Sequence, residues 1–251
     1  MKKLSLLLVS LPWFVACAGQ KYRVDVGPFF AKGSGRVALQ NADGTLAGQY
    51  ENNIGRDMGL DDTEAAPYLR VQMDKDRHRV RLHGFVTDTN GNGVLASDYG
   101  GIVAGSQVTT SMEFFTVAAN YGYQLLRGQN YRLAVGGQAG YYSLDVAARS
   151  TAGREEVETD VLVPMPFFEG ELLFGTLTFG ANAALMSADL GDAAGRYLDV
   201  EGYARWSAAK DFDFFAGYRY MVLDAYGRAT SRDFDADVDL EGFFFGAGVR
   251  F

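Results

Sequence analysis

The 251-residue chain has one cysteine, Cys17, and only two histidines, His78 and His83. Cys17 sits in a segment that reads as a removable leader, so the mature chain is expected to have neither disulfides nor thiol chemistry. With both histidines on one short stretch, few candidates remain for metal ligation or acid–base work. Beyond the first 16 residues no apolar run approaches the ~20 residues that a membrane helix needs. Any membrane span must therefore be built from strands. Low-complexity linkers and clear internal repeats are missing as well. Basic residues are in deficit: 23 Lys and Arg stand against 31 Asp and Glu, a formal charge of −8. Without Lys2 and Lys3 the balance is 21 against 31, or −10. Phosphate contacts require clustered Lys and Arg, so nucleic acid is excluded as an expected partner.

What is present begins with a leader. Lys2 and Lys3 precede the apolar run Leu4 to Ala16, which ends in Ala16-Cys17-Ala18. A positive start, a short apolar stretch and a small-x-small site read as a secretory signal peptide over 1–18. Lipidation at Cys17 is the alternative. Residues 19–251 then form one domain. The 31 Gly, 14 Tyr and 18 Phe suit tight turns, close strand contacts and interfacial aromatic belts.

Ten alternating segments follow, near 21–31, 67–75, 78–88, 111–123, 131–143, 165–175, 177–187, 197–207, 212–223 and 241–251. Short turns are expected at 74–77, 127–130, around Gly175 and at 209–211. Longer polar loops are expected over 32–66, 89–110, 144–163, 188–196 and 224–240. In the last segment Phe243, Phe245, Ala247, Val249 and Phe251 share one face, while Gly246, Gly248 and Arg250 share the other. About 9–11 such residues span a membrane as a tilted strand. The expected fold is all-β: a single antiparallel transmembrane β-barrel, ten strands preferred over eight, with short periplasmic turns and long extracellular loops. A secreted β-sandwich is the alternative, since its strands also alternate. No peptidoglycan-binding module is expected after the last strand.

The leader, the alternation of loop lengths and the terminal aromatic strand resemble the small bacterial outer-membrane barrels of the outer-membrane protein A and X types. The stretch Met58-Gly59-Leu60-Asp61-Asp62, followed by Pro67, resembles uncharacterised barrels of the same kind. This resemblance makes Phe243, Phe245, Val249 and Phe251 an assembly signal read by the barrel-assembly machinery. It implies a place in the Gram-negative cell envelope, integral in the outer membrane with both termini periplasmic, and outer-membrane lipid and lipopolysaccharide as partners.

With apolar faces toward lipid, the lumen would receive Arg23, Asp25, Arg70, Asp74, Arg79, Arg81, His83, Arg132, Glu169, Glu171, Asp199, Glu201, Arg205, Arg219 and Arg250. Unpaired charges in so confined a space are costly, so an Arg–carboxylate network that plugs the barrel is expected. A structural or surface-interaction role follows. The alternative is a narrow, porin-like channel for small solutes or apolar molecules, with a lipid-modifying enzyme a distant third.

No catalytic constellation or cofactor is expected. The barrel proteases called omptins use acidic residues with His at the extracellular mouth, whereas His78 should lie near the periplasm and His83 in mid-lumen. Lipid A deacylases and palmitoyltransferases use Ser with His, and no His-x-Ser pattern occurs. Asp88, Asn90 and Asn92 match the opening of a calcium loop, with Asp98 as a weak further ligand. Tyr99 stands where the bidentate Glu belongs, so a Gly/Asn-rich loop is the preferred reading. Asp233, Asp235, Asp237 and Asp239 form an acidic ladder, expected to be a solvated strand extension.

Overall fold

In the computed structural model, which describes residues 20–40, 51–189, 193–229 and 232–251, alternation has become a closed antiparallel sheet. Its long strands are β1 (Lys21–Leu39), β3 (Thr63–Lys75), β4 (His78–Val94), β5 (Gln107–Arg127), β6 (Tyr131–Arg149), β7 (Arg154–Phe174), β8 (Leu177–Asp189), β9 (Ala193–Ala209), β10 (Phe212–Ala229) and β11 (Arg232–Arg250). A two-residue β2 (Asn52–Asn53) pairs with β1 at Arg36 and Val37. Consecutive long strands are hydrogen-bonded neighbours, and β11 returns to β1 from Arg23↔Arg250 to Leu39↔Phe234, closing the ring. The short turns fall at 76–77, 128–130, 175–176 and 210–211. The expected leader, with Cys17, lies outside the described residues.

Near these turns the outward face is apolar. Leu69, Val80, Leu82, Tyr121, Leu133, Phe168, Leu172, Phe179, Trp206, Phe214, Phe243, Phe245 and Val249 are all exposed there. An exposed apolar band on every wall of a closed barrel is the arrangement that lipid stabilises.

Higher up the pattern inverts, and this corrects two expected loops. Residues 144–163 and 224–240 are mostly strand, crossing from β6 to β7 and from β10 to β11 by short connections. On β11, Phe234, Ala236, Val238 and Leu240 point inward and are buried, while Asp235, Asp237 and Asp239 alternate with them on the outer face. On β7, Val157 and Val163 point inward, while Glu156, Glu158 and Asp160 are exposed. Strands that leave the membrane keep their period of two but exchange the solvents of their faces. Outward charge made them read as loops.

Four prolines explain where the wall is unpaired. Pro164 and Pro166 keep their register with β6 at Ala139 and Gly137, yet the β7–β8 ladder stops at Phe167↔Ala184. Pro67 pairs with Pro28 of β1, and the β3–β4 ladder stops at Tyr68↔Phe85. A proline has no N–H to give, so each ladder ends at the residue beside it. Above these two seams the barrel opens into two sheets, β4-β5-β6-β7 and β8-β9-β10-β11-β1-β3. They face each other across an apolar core that includes Val37, Leu144, Val146, Val157, Phe234 and Ala236. The packing between them leaves a void of about 10 Å³, at the limit of a single water. The barrel is a membrane cylinder with a sandwich on top.

Two turns fill the sandwich. Ile54, Met58 and Leu60 from one, and Leu95, Tyr99 and Ile102 from the other, are almost completely buried. Asn52 ties them together: its Oδ1 accepts from the Ala96 and Ser97 amides at 3.0 Å each, and its Nδ2 donates to the Ser97 carbonyl at 3.2 Å. Gly91 and Gly93 let the first turn approach β4. A Cβ on Gly91 would lie 1.9 Å from the Gly59 carbonyl oxygen, and one on Gly93 2.2 Å from that of Asp57.

Candidate functional site

The lumen is built in layers, and the first is a vestibule at the short-turn end. This is a cavity of about 560 Å³ bordered by Lys21, Arg23, Arg127, Arg132, Lys210 and Arg250 together with Asp74, Asp76 and Asp211. The even or odd positions that face inward on each strand carry these charges and the next layer.

Above the vestibule lies an ion-pair network. Arg79 binds Asp74 at 2.7 Å, Glu169 at 3.0 Å and Glu171 at 2.9 Å. Arg81 takes the same oxygen of Glu169, and Arg132 reaches Glu171 at 3.3 Å. The Tyr203 hydroxyl also donates to Glu171, at 2.8 Å. Arg70 pairs with Glu201 across the barrel. Arg205 grips Asp25 with two nitrogens at 2.9 and 2.6 Å, and Arg219 grips Asp199 at 2.9 and 2.7 Å. Asp213, absent from the sequence-derived set, receives Arg23 at 3.3 Å, Arg205 at 3.5 Å and Arg250 at 3.1 Å. Its alternation with Phe212 and Phe214 was a sufficient signal.

A ceiling of rings covers the network. Phe29 meets Phe85, which meets Phe114, then Tyr142 and Tyr197, with centroid separations of 4.7, 5.9, 6.4 and 6.0 Å. Tyr68, Phe244 and Phe215 form a second run at 5.3 and 6.1 Å. The guanidiniums of Arg70, Arg205 and Arg219 lie against Tyr68, Phe215 and Phe85 at 5.3, 5.4 and 5.5 Å, joining the two layers by cation–π contact. The rings fit because small residues face them: a Cβ on Gly217 would sit 2.4 Å from the Phe244 ring. The sequence does not reveal this ceiling, since buried aromatics on the charged face look like exceptions to the alternation.

The histidines take no open position. His83 is buried, and Arg219 donates to its Nε2 at 3.0 Å. Arginine can only donate, so that nitrogen must offer its lone pair and is occupied. His78 faces outward beside the first short turn, with Nδ1 2.7 Å from the Tyr121 hydroxyl. Glu169 and Glu171, which share a face, are both engaged by arginines.

The calcium-like stretch is corrected from loop to strand. Asp88, Asn90 and Asn92 lie on the outer face of β4. Asn90 Nδ2 donates to Asp88 Oδ1 at 3.4 Å, while Asn92 Oδ1 accepts from the Thr109 hydroxyl at 2.9 Å, so the three side chains do not close around one point. Asp98 sits in the separate turn after β4, where its Oδ1 accepts the Ala104 amide at 2.8 Å. Among the described residues no group of three or more His, Cys, Asp or Glu is placed to hold a metal ion. The terminal-strand residues Phe243, Phe245 and Val249 face outward; Phe251 stacks on Tyr22 at 6.1 Å, beside the vestibule.

No protein-family model and no curated protein sequence matches this chain. Among solved structures, the outer membrane protease OmpT from Escherichia coli aligns with a TM-score of 0.60 at 13% identity, over 94% of this chain and 98% of that one. Ail, the attachment invasion locus protein of Yersinia pestis, aligns at 0.38 and 12%, over 92% and 99%. Neisserial surface protein A aligns at 0.32 and 11%, over 93% and 96%. At such identity the OmpT match speaks for the fold and not for the chemistry. The chain has the fold of the bacterial outer-membrane β-barrels.

Proposed function

We propose that this chain is an integral outer-membrane barrel with a sealed lumen, serving a structural or surface-interaction role. The carrying observation is the burial of the two middle layers. A passage wide enough for water would leave its lining accessible, yet Arg70, Arg81 and Arg219 are at most 2% exposed and Phe29 and Phe114 at most 1%. Lipid and lipopolysaccharide surround the apolar band, the short turns and both termini face the periplasm, and the two-sheet sandwich stands outside the cell. The outward aromatic face of β11 serves the assembly machinery. No enzymatic role is assigned, because both histidines and the paired glutamates are already engaged.

Single-channel recording in planar bilayers tests this reading. The expected trace stays at the empty-bilayer baseline. Stable conductance steps from correctly inserted protein would overturn it in favour of a solute channel.

A further inference from the structure

From the vestibule we infer a binding site for a small polyvalent oxyanion, of the diphosphate or polycarboxylate class. Its border has six cationic side chains, Lys21, Arg23, Arg127, Arg132, Lys210 and Arg250, against three carboxylates, Asp74, Asp76 and Asp211. A terminal carboxylate at Phe251 would still leave two positive charges in excess.

Three of the carboxylates nearby, Asp74, Glu171 and Asp213, are already shared with deeper arginines. Asp74 is held by Arg79 at 2.7 Å. Glu171, the partner of Arg132, also binds Arg79. Arg23 and Arg250 divide Asp213 between them and with Arg205. The cations of the vestibule are thus under-neutralised from within, and the remaining charge faces the cavity. Arginine presents a planar fork that matches phosphate or carboxylate oxygens two at a time.

The walls concentrate the field. The cavity is closed above by the ion-pair network and open toward the short turns, and a low-dielectric cleft with a net excess of one sign of charge focuses potential on its contents. Its volume of about 560 Å³ exceeds that of a single inorganic ion and falls within the ~300–1,000 Å³ of small-molecule sites. The site is independent of conduction: it needs only a cationic chamber open at one end, whether or not the lumen passes solute.

Titration calorimetry of the full, refolded barrel in detergent at low ionic strength tests the site. Pyrophosphate and citrate are the probes, because phosphate- and carboxylate-bearing molecules share this chemistry; the tighter of the two assigns the source. One saturable site is expected, weakening as salt is added. The double variant R23Q/R250Q should lose about tenfold in affinity, the equivalent of about 1.4 kcal/mol. K21Q/K210Q, at the exposed rim, should lose at least about threefold by the loss of two charges. D145N, at the far end, should bind as the parent does. Absence of saturable binding by both probes overturns the proposal, as does unchanged affinity in R23Q/R250Q. Should that variant fail to fold, unchanged affinity in K21Q/K210Q overturns it equally.

Discussion

At the scale of single residues, the lumen depends on partners more than on any one charge. Arg219 meets both oxygens of Asp199, lies against Phe85 and donates to His83, all away from water. Removing one member of such a pair leaves the other buried and uncompensated, at a cost of about 3–5 kcal/mol. R219M should therefore lower the temperature at which the unboiled, fast-migrating gel form converts to the slow one. The R219M/D199N double variant should recover part of that loss. If the double variant is as unstable as the sum of the two single ones, the residues do not act as a pair. The sequence made these residues legible through parity alone. In β9, Asp199, Glu201 and Arg205 oppose Leu198, Val200 and Trp206, and that is their placement in the wall. The individual pairings could not be read, because Arg70 and Glu201 are 131 positions apart and meet only across the closed barrel.

At the scale of strands, parity identifies faces but does not identify solvents. The membrane portion of β11 is legible because its outward residues are apolar, while the upper portion reads as a loop because its outward residues are acidic. Prolines 67, 164 and 166 marked the ladder breaks in plain view, but their meaning depended on knowing which edge each nitrogen faces. The same outer walls carry an unequal distribution of charge. On one side, Arg196, Asp224, Asp237, Arg36 and Glu51 mix both signs, with separations of 3.8, 3.6 and 3.1 Å at three opposite-charge contacts and one like-charge pair, Asp224 opposite Asp237. On the other, Asp88, Glu113, Asp145 and Glu158 stand directly opposite one another across β4, β5, β6 and β7. This row lies above the Phe115–Tyr141 ring contact, outside the membrane level. Burial, aided by Glu156, Glu158 and Glu113, raises the Asp145 pKa above its usual 3.8. A raised carboxylate pKa means that the folded state holds its proton more tightly. Stability therefore increases as pH falls from neutral through the raised value, and the increase ends below the unfolded value near 3.8. D145N should stabilise the upper sheets by about 0.5 kcal/mol at neutral pH, by relieving like charges held opposite each other. Denaturant midpoints should show that gain shrinking toward pH 4, and a gain unchanged with pH would refute the charge explanation.

At the scale of the molecule, two solvents have been met by one continuous sheet. Below the seams, rigid ion pairs and rings fill a cylinder whose outside is apolar; above them, an apolar core separates two sheets whose outsides are charged. The lower part is closed by an unbroken ladder, from Tyr68↔Phe85 down to Lys75↔His78 at one seam and from Phe167↔Ala184 to Phe174↔Leu177 at the other. The upper part is interrupted at both seams and relies on buried side chains, among them Met58 in its plug turn. The two parts should therefore differ in how they fail. M58A removes a fully buried side chain at a cost of about 2–5 kcal/mol, and this cost should fall on the sandwich and its turns alone. Limited proteolysis of M58A should cut within 95–106 much faster than in the parent, while the unboiled protein still migrates as a folded barrel. Loss of the folded gel form at the same temperature as the onset of cleavage would mean instead that cylinder and sandwich unfold as one unit. In that event the prolines interrupt only hydrogen bonds, and cooperativity passes through the ring ceiling of Phe29, Phe85 and Phe114, where the two halves share side chains.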